Sequence, residues 1–141
     1  MATNAEPDLL VDTSVAVALV VADHVAHGDT AAALGHRTLG LAGHAWFETY
    51  SVLTRLPPPA RRRPGEVARV LAHDFASSRF LDADAHQALA IRLAGLGIAG
   101  GAVYDALVGA AARHHGLPLA TRDARATGVY RALDVDVELL A

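Results

Sequence analysis

The chain has 141 residues, of which 52% are hydrophobic and 19% charged, the balance of one globular domain rather than of a disordered segment. It contains no cysteine, which excludes disulfides, thiol catalysis and cysteine-ligated zinc and fits a reducing compartment. The formal net charge is −3, so no global positive field draws in nucleic acid, and all twelve basic residues are arginine, so a lysine-dependent reaction has no residue to carry it.

The opening "MATNAEPD" has no positive stretch, and the apolar run after it is broken by Asp12, Thr13 and Ser14. It reads as neither a secretory signal nor a membrane span. The expectation is a soluble, cytoplasmic chain with a polar N-terminal extension over residues 1–8 and a single domain over residues 9–141. Leu9–Val11 reads as a short buried strand, and Asp12, Thr13 and Ser14 can turn and cap a helix over residues 15–22. A second helix is expected over 24–34 and a second strand over 38–42. Gly43 breaks that strand, and residues 44–56 have helical length and periodicity. "LPPPARRRPG", residues 56–65, cannot be helix or central strand and reads as a loop. Helices follow over 66–77 and 83–96, with a short strand at 80–81 between them. "GIAGG", residues 97–101, is a joint leading into a small-residue helix over Ala102–His115 that Gly116 stops. Residues 118–121 read as a strand, 122–132 as a short helix and 135–139 as a last strand. Short apolar strands alternating with helices predict an α/β fold, a mainly parallel sheet covered on both faces.

An aspartate inside the run "LLVDTSVAVALV" needs a reason, because a carboxylate beside a core is costly unless something cationic or hydrogen-bonding meets it. In an open parallel sheet ligands sit beyond the carboxyl ends of the strands. Asp12 lies just past the first strand and Asp123 just past "PLAT". Glu48 lies one turn into the helix after the second strand, and Asp105 about one turn into the helix after the glycine-rich joint. Asp105 shares its helical stripe with Val108, Gly109 and Ala112, a small apolar face that lets another backbone approach closely. Four carboxylates from four distant segments can therefore meet at one edge. They would repel one another, and a divalent cation with a preference for hard oxygen ligands, Mg²⁺ or Mn²⁺, resolves the repulsion. Such an ion makes a bound water a better nucleophile and stabilises charge on a phosphoryl group. The plainer reading makes Asp12 and Asp123 helix caps and Glu48 and Asp105 exposed helical acids. An aspartate after a first strand also suggests haloacid-dehalogenase-type phosphatases or receiver domains, and these, like P-loop NTPases, need the lysine this chain lacks.

The motifs "LLVDTSV", "HAWFETYSVLTRLP" and "GGAVYDALVGAAARHHGLPLATRD", in that order, resemble the PIN-domain ribonucleases, and most of all the VapC-type toxins of bacterial toxin–antitoxin pairs. The resemblance runs from about residue 9 to residue 139, nearly the whole chain. It implies a three-layer α/β/α PIN-like domain with a mainly parallel central sheet of four to five strands. By position it puts the family's metal-binding, catalytic acids on Asp12, Glu48, Asp105 and Asp123. Asp12 and Asp105 would be the principal ligands, with Glu48 and Asp123 binding directly or through water and orienting the attacking water. Thr13, Ser14 and Thr121 resemble positions that support the site. The cofactor implied is Mg²⁺ or Mn²⁺, the substrate RNA, and the partner a VapB-type antitoxin, in a homodimer or a toxin–antitoxin hetero-oligomer. The alternatives are a catalytically silent PIN-fold partner-binding module and a small-molecule phosphohydrolase, the latter disfavoured by the absence of lysine.

Other residues have two readings each. Arg55 either pairs with Glu48 or bridges the acids and RNA. Arg61, Arg62 and Arg63 form the densest positive patch, either a phosphate contact or a solvated loop. Trp46, Phe47 and Tyr50 are read as core or interface rather than as base-stacking platforms. The eight histidines have no H-E-x-x-H spacing and are not read as a metal site. No G-x-S-x-G elbow points to a serine hydrolase.

Overall fold

The structure, a computed structural model, describes residues 6–141. The chain opens with β1 (Leu9–Val11), whose three residues are wholly buried. After it come α1 (Thr13–Val20), α2 (His27–Leu34), β2 (Leu39–Leu41), α3 (Ala45–Thr54) and α4 (Pro64–Asp74). The remainder is α5 (Ala83–Gly95), α6 (Ala102–His115), β3 (Leu119–Thr121), α7 (Thr127–Ala132) and β4 (Val137–Leu139). Part of the expected extension over residues 1–8 lies outside the described residues. Within the described part, Asp8 hydrogen-bonds Thr38 through both its amide and its carboxylate, and Glu6 pairs with Arg79.

The four strands form one parallel sheet in the order β2-β1-β3-β4. Leu10 stands opposite Gly40 on one side and Leu119 on the other. The chain leaves β1 for β2 on one side, then crosses to β3 on the other. The crevice at the carboxyl ends of β1 and β3 lies where these crossings part. β1 and β3 are buried throughout, so both faces of the sheet are covered, as a parallel sheet requires. α1 packs with α2 and α3, and α3 with α4, while α6 packs with α5 and α7. Among the described residues no helix is long and apolar enough to cross a membrane.

Several expected boundaries move, for identifiable reasons. No strand forms at 80–81; instead Ala76 makes an isolated bridge to Gly40 of β2, Arg79 another to Ala42 just beyond it, and the Ser78 hydroxyl accepts from the Leu41 amide at 2.9 Å. Alternation of apolar residues cannot distinguish a strand from a segment pinned by two bridges. The loop "LPPPARRRPG" ends earlier than expected, because Pro64 sits at the first position of α4, where its missing N–H costs nothing. The helix expected over 122–132 begins only at Thr127, and Asp123 lies in the loop before it. Within the arginine cluster, Arg62 donates to the Val20 carbonyl at 3.1 Å, closing the carboxyl end of α1, and Arg61 donates to the Leu56 carbonyl at 3.0 Å. Part of that positive patch therefore holds the fold.

Candidate active site

Asp12 leaves β1 in an extended conformation, with φ −92° and ψ −178°, and becomes the N-cap of α1. Its Oδ1 accepts from the Val15 amide at 3.3 Å and from the Ser14 hydroxyl at 2.6 Å. Its Oδ2 accepts from the Tyr130 hydroxyl at 2.9 Å. The residue is only 5% exposed, so these donors compensate the burial of its charge. Asp12 is thus a cap and also a wall of a cavity.

Ser14 ties the ends of β1 and β3 together. A hydroxyl has one proton, and here it goes to Asp12. Ser14 Oγ therefore accepts from the Arg122 amide at 2.8 Å and from the Thr121 hydroxyl at 3.5 Å. Thr121 Oγ1 in turn accepts from the Asp123 amide at 3.0 Å. Of the hydroxyls of Thr13, Ser14 and Thr121, those of Ser14 and Thr121 hydrogen-bond the backbone that carries Asp123, and that of Ser14 also the carboxylate of Asp12.

Glu48 stands in the first turn of α3, half-buried, where its acid complements the helix N-terminus. Thr13 donates to its Oε2 at 3.4 Å, and His44 Nε2 lies 3.5 Å from Oε1. Arg55 does not pair with it; it lines the same side of α3 beside Glu48, along a surface cavity of about 280 Å³. Asp105 occupies the first turn of α6. Asp123 accepts from the Arg125 amide at 3.0 Å, with the Arg125 guanidinium at 3.5 Å.

All four acids line one cavity of about 70 Å³, together with Tyr130. Burial raises the Glu48 carboxyl above its ordinary 4.5, with the charges of Asp105 and Asp12 adding to it and the nearby His44 opposing. Burial likewise raises Asp105 above 3.8, with Asp123 and Asp12 adding to it. Such influence of one carboxylate on another is the signature of acids gathered at one site. Among the described residues no three His, Asp or Glu side chains are grouped tightly enough to hold an ion by themselves. Mg²⁺ retains several waters, so its sites are completed by solvent rather than by a closed cage of carboxylates.

Tyr130 is the residue that sequence reasoning missed. Its ring is buried and its hydroxyl reaches Asp12 across 118 positions of chain. The available signal was general: a tyrosine expected to be buried needs a partner for its hydroxyl. Nothing in the pattern said which. Of the aromatic residues near Glu48, Trp46 and Tyr50 stack at 5.7 Å and pack against the core. Phe47 is exposed, as is Phe80, with which it makes an edge contact at 6.3 Å. Two of the histidines serve as local props: His27 donates to the Ala18 carbonyl at 2.8 Å and His115 to that of Phe80 at 2.8 Å.

A parallel sheet of order β2-β1-β3-β4 with four acids at the crevice is the arrangement of a PIN domain, and the family model of that description matches residues 9–132. The chain belongs to the PIN domain family. It is 48% identical over 136 residues to Ribonuclease VapC27 of Mycobacterium tuberculosis (strain ATCC 25618 / H37Rv), covering 96% of this chain and 99% of that protein. It is also 48% identical over 131 residues to Ribonuclease VapC40 of Mycobacterium tuberculosis (strain CDC 1551 / Oshkosh), covering 92% of this chain and 96% of that one. Among solved structures, FitAcB from Neisseria gonorrhoeae superimposes with a TM-score of 0.65 at 21% identity, over 92% of this chain and 95% of that one. FitAB bound to an IR36 DNA fragment gives 0.66 at 21% identity, over 93% and 94%. These two likenesses concern the fold.

Proposed function

We propose that this PIN domain is an endoribonuclease that depends on a divalent cation, Mg²⁺ or Mn²⁺, and acts as the toxin of a toxin–antitoxin pair. The observation that carries the reading is the meeting of Asp12, Glu48, Asp105 and Asp123 in one small cavity at the switch point of the sheet. RNA as the substrate rests on the likeness to the two ribonucleases at 48% identity. The residues fit the ion: every charged donor at the cavity is a carboxylate oxygen, and two of the four acids have pKa values raised by burial and then by neighbouring carboxylates. Asp12 and Asp105 would hold it, with Glu48 and Asp123 completing the site directly or through water. When bound, the cation supplies Lewis-acid chemistry, activating water and offsetting charge on the phosphate.

The rest of the reaction belongs to the chain. Glu48 is half-exposed and its carboxyl is raised, so it can orient the attacking water and accept its proton. Arg55, beside it without an ion pair among the described residues, is placed to take a phosphate oxygen with its guanidinium. Attack by water in line with the P–O3′ bond leaves a 5′-phosphate on one fragment and a 3′-hydroxyl on the other. The same acidic cavity would receive an arginine of the antitoxin, because a guanidinium forks onto carboxylates.

The deciding experiment is cleavage of structured RNA by the purified chain with Mg²⁺, with EDTA, and with the antitoxin added. Cleavage is expected only in the first condition, with 5′-phosphate ends. Equal cleavage in EDTA, or 2′,3′-cyclic ends, would sink the mechanism. We also take the chain to form a symmetric pair. Phe47, Phe80 and Ile91 are large apolar side chains left 58%, 45% and 82% exposed in the single chain. Light scattering is expected to give twice the monomer mass at micromolar concentration, and a monomer there removes the pairing.

A further inference from the structure

Asp12 as a carboxylate has about four acceptor positions. Ser14 and Val15 take Oδ1, and Tyr130 takes Oδ2. The Asp12 position still open is therefore on Oδ2. The terminal torsion of an aspartate is broad, and turning it moves both oxygens. The donors on Oδ1 restrain that torsion, and a donor on Oδ2 adds a second anchor beside the open position.

Tyr130 is built to be that donor. It lies in α7, 1% exposed, against the small face of α6, the helix that carries Asp105. A Cβ added at Gly109 of α6 would stand 3.0 Å from Tyr130 Cδ1, so the ring lies tightly against that helix. Val135, just beyond α7, closes on the same glycine, at 3.5 Å from that Cβ. A phenol loses its proton only at about pH 10, so at neutral pH the Tyr130 hydroxyl is an uncharged donor. A lysine or arginine in its place would bring a positive charge that competes with a cation.

We propose that Tyr130 is a positioning residue for the metal site, its buried hydroxyl turning the Asp12 carboxylate so that the open Oδ2 position faces the cavity shared with Glu48, Asp105 and Asp123. This rests on the divalent-cation reading above. Partners that orient a ligand in this way change metal affinity by roughly 10–100-fold when removed.

The test is Tyr130→Phe, which keeps the ring and deletes the hydroxyl. Mn²⁺ is titrated calorimetrically into the purified variant, and RNA cleavage is followed as Mn²⁺ is raised. Mn²⁺ affinity is expected to fall by about tenfold. kcat at fixed Mn²⁺ should fall similarly, KM for RNA should hold, and excess Mn²⁺ should restore most of the rate. A merely structural tyrosine would give no rescue by metal. Wild-type Mn²⁺ affinity in Tyr130→Phe, while Asp12→Asn has lost it, overturns the role of Tyr130 alone. Wild-type affinity in Asp12→Asn as well overturns the metal site itself. Should Tyr130→Phe not fold, Gly109→Ala applies the same test by displacing the ring while keeping its hydroxyl. Weaker Mn²⁺ binding then supports the proposal, and unchanged binding refutes it.

Discussion

Asp105→Asn is expected to lower RNA cleavage by at least about 10²–10³-fold, the loss typical when one charge-stabilising group is removed from an active site. The same change should make the metal-free protein more stable than the wild type at neutral pH. Asp105 has its carboxyl raised first by burial, then by Asp123 and Asp12, and it raises Glu48 in turn. A folded-state pKa above the unfolded value means that the folded state holds the proton more tightly. The stability this contributes is complete below the ordinary values of 3.8 for Asp105 and 4.5 for Glu48, and is lost as pH rises through the raised ones. Above the raised values, without metal, the cost of burying these charges beside one another is fully present, and the asparagine removes the share that Asp105 contributes. Thermal unfolding in EDTA from acid to neutral pH should show the variant's advantage growing with pH and then levelling. An advantage that shrinks as pH rises, or unimpaired cleavage, would contradict this account. Asp12→Asn should lose cleavage too, but without the gain in stability. Its carboxylate accepts from Ser14, Val15 and Tyr130, and an amide nitrogen cannot replace an oxygen there without leaving a buried donor unsatisfied.

The largest loss of stability from a small change is expected at Gly40, in the middle of β2. A Cβ there would collide with the Ser77 backbone carbonyl and reach Leu10 Cδ2 at 3.0 Å. The obstacle is backbone, so no rotamer change relieves it. The segment behind it is held by the Gly43 amide on the Arg79 carbonyl at 2.7 Å and by the Ser78 hydroxyl on the Leu41 amide. Gly40→Ala should cost about 3 kcal/mol, the upper end for overpacking a close-packed site. For a domain of this size that is a fall of roughly 10 °C in Tm. Gly28→Ala, where a Cβ meets nothing within 4 Å, is the matched control and should not lower Tm. A Gly40→Ala protein melting with the wild type would mean that the approach of residues 76–79 to β2 is not as described.

The acids were legible because each follows an element end that apolar runs and glycines mark: Asp12 after "LLV", Asp123 after "PLAT", Asp105 after the joint at 97–101. Their encounter follows from parallel strand order, which alternating strands and helices already imply. What the sequence withheld depends on contacts across the chain. Tyr130 meeting Asp12 and Arg62 meeting Val20 are set by how helices dock, and no spacing encodes them. The missing strand at 80–81 and the late start of α7 are failures of local pattern. Short apolar stretches are settled by the neighbours they find. Gly109 lies between these cases. Its place on a small-residue stripe announced a close approach, and the approaching group proved to be the tyrosine ring.

The pairing of β1 with β3 joins residues more than a hundred positions apart. During synthesis the acids of residues 12, 48 and 105 are all made before β3 and Tyr130 exist to seat them. A growing chain that has not reached residue 119 lacks the strand that receives the Asp12 amide, through the Ala120 carbonyl, and lacks the hydroxyl that holds its carboxylate. The geometry therefore delays assembly of the centre until β3 and Tyr130 have been translated. Fragments that stop short of β3 carry no finished centre.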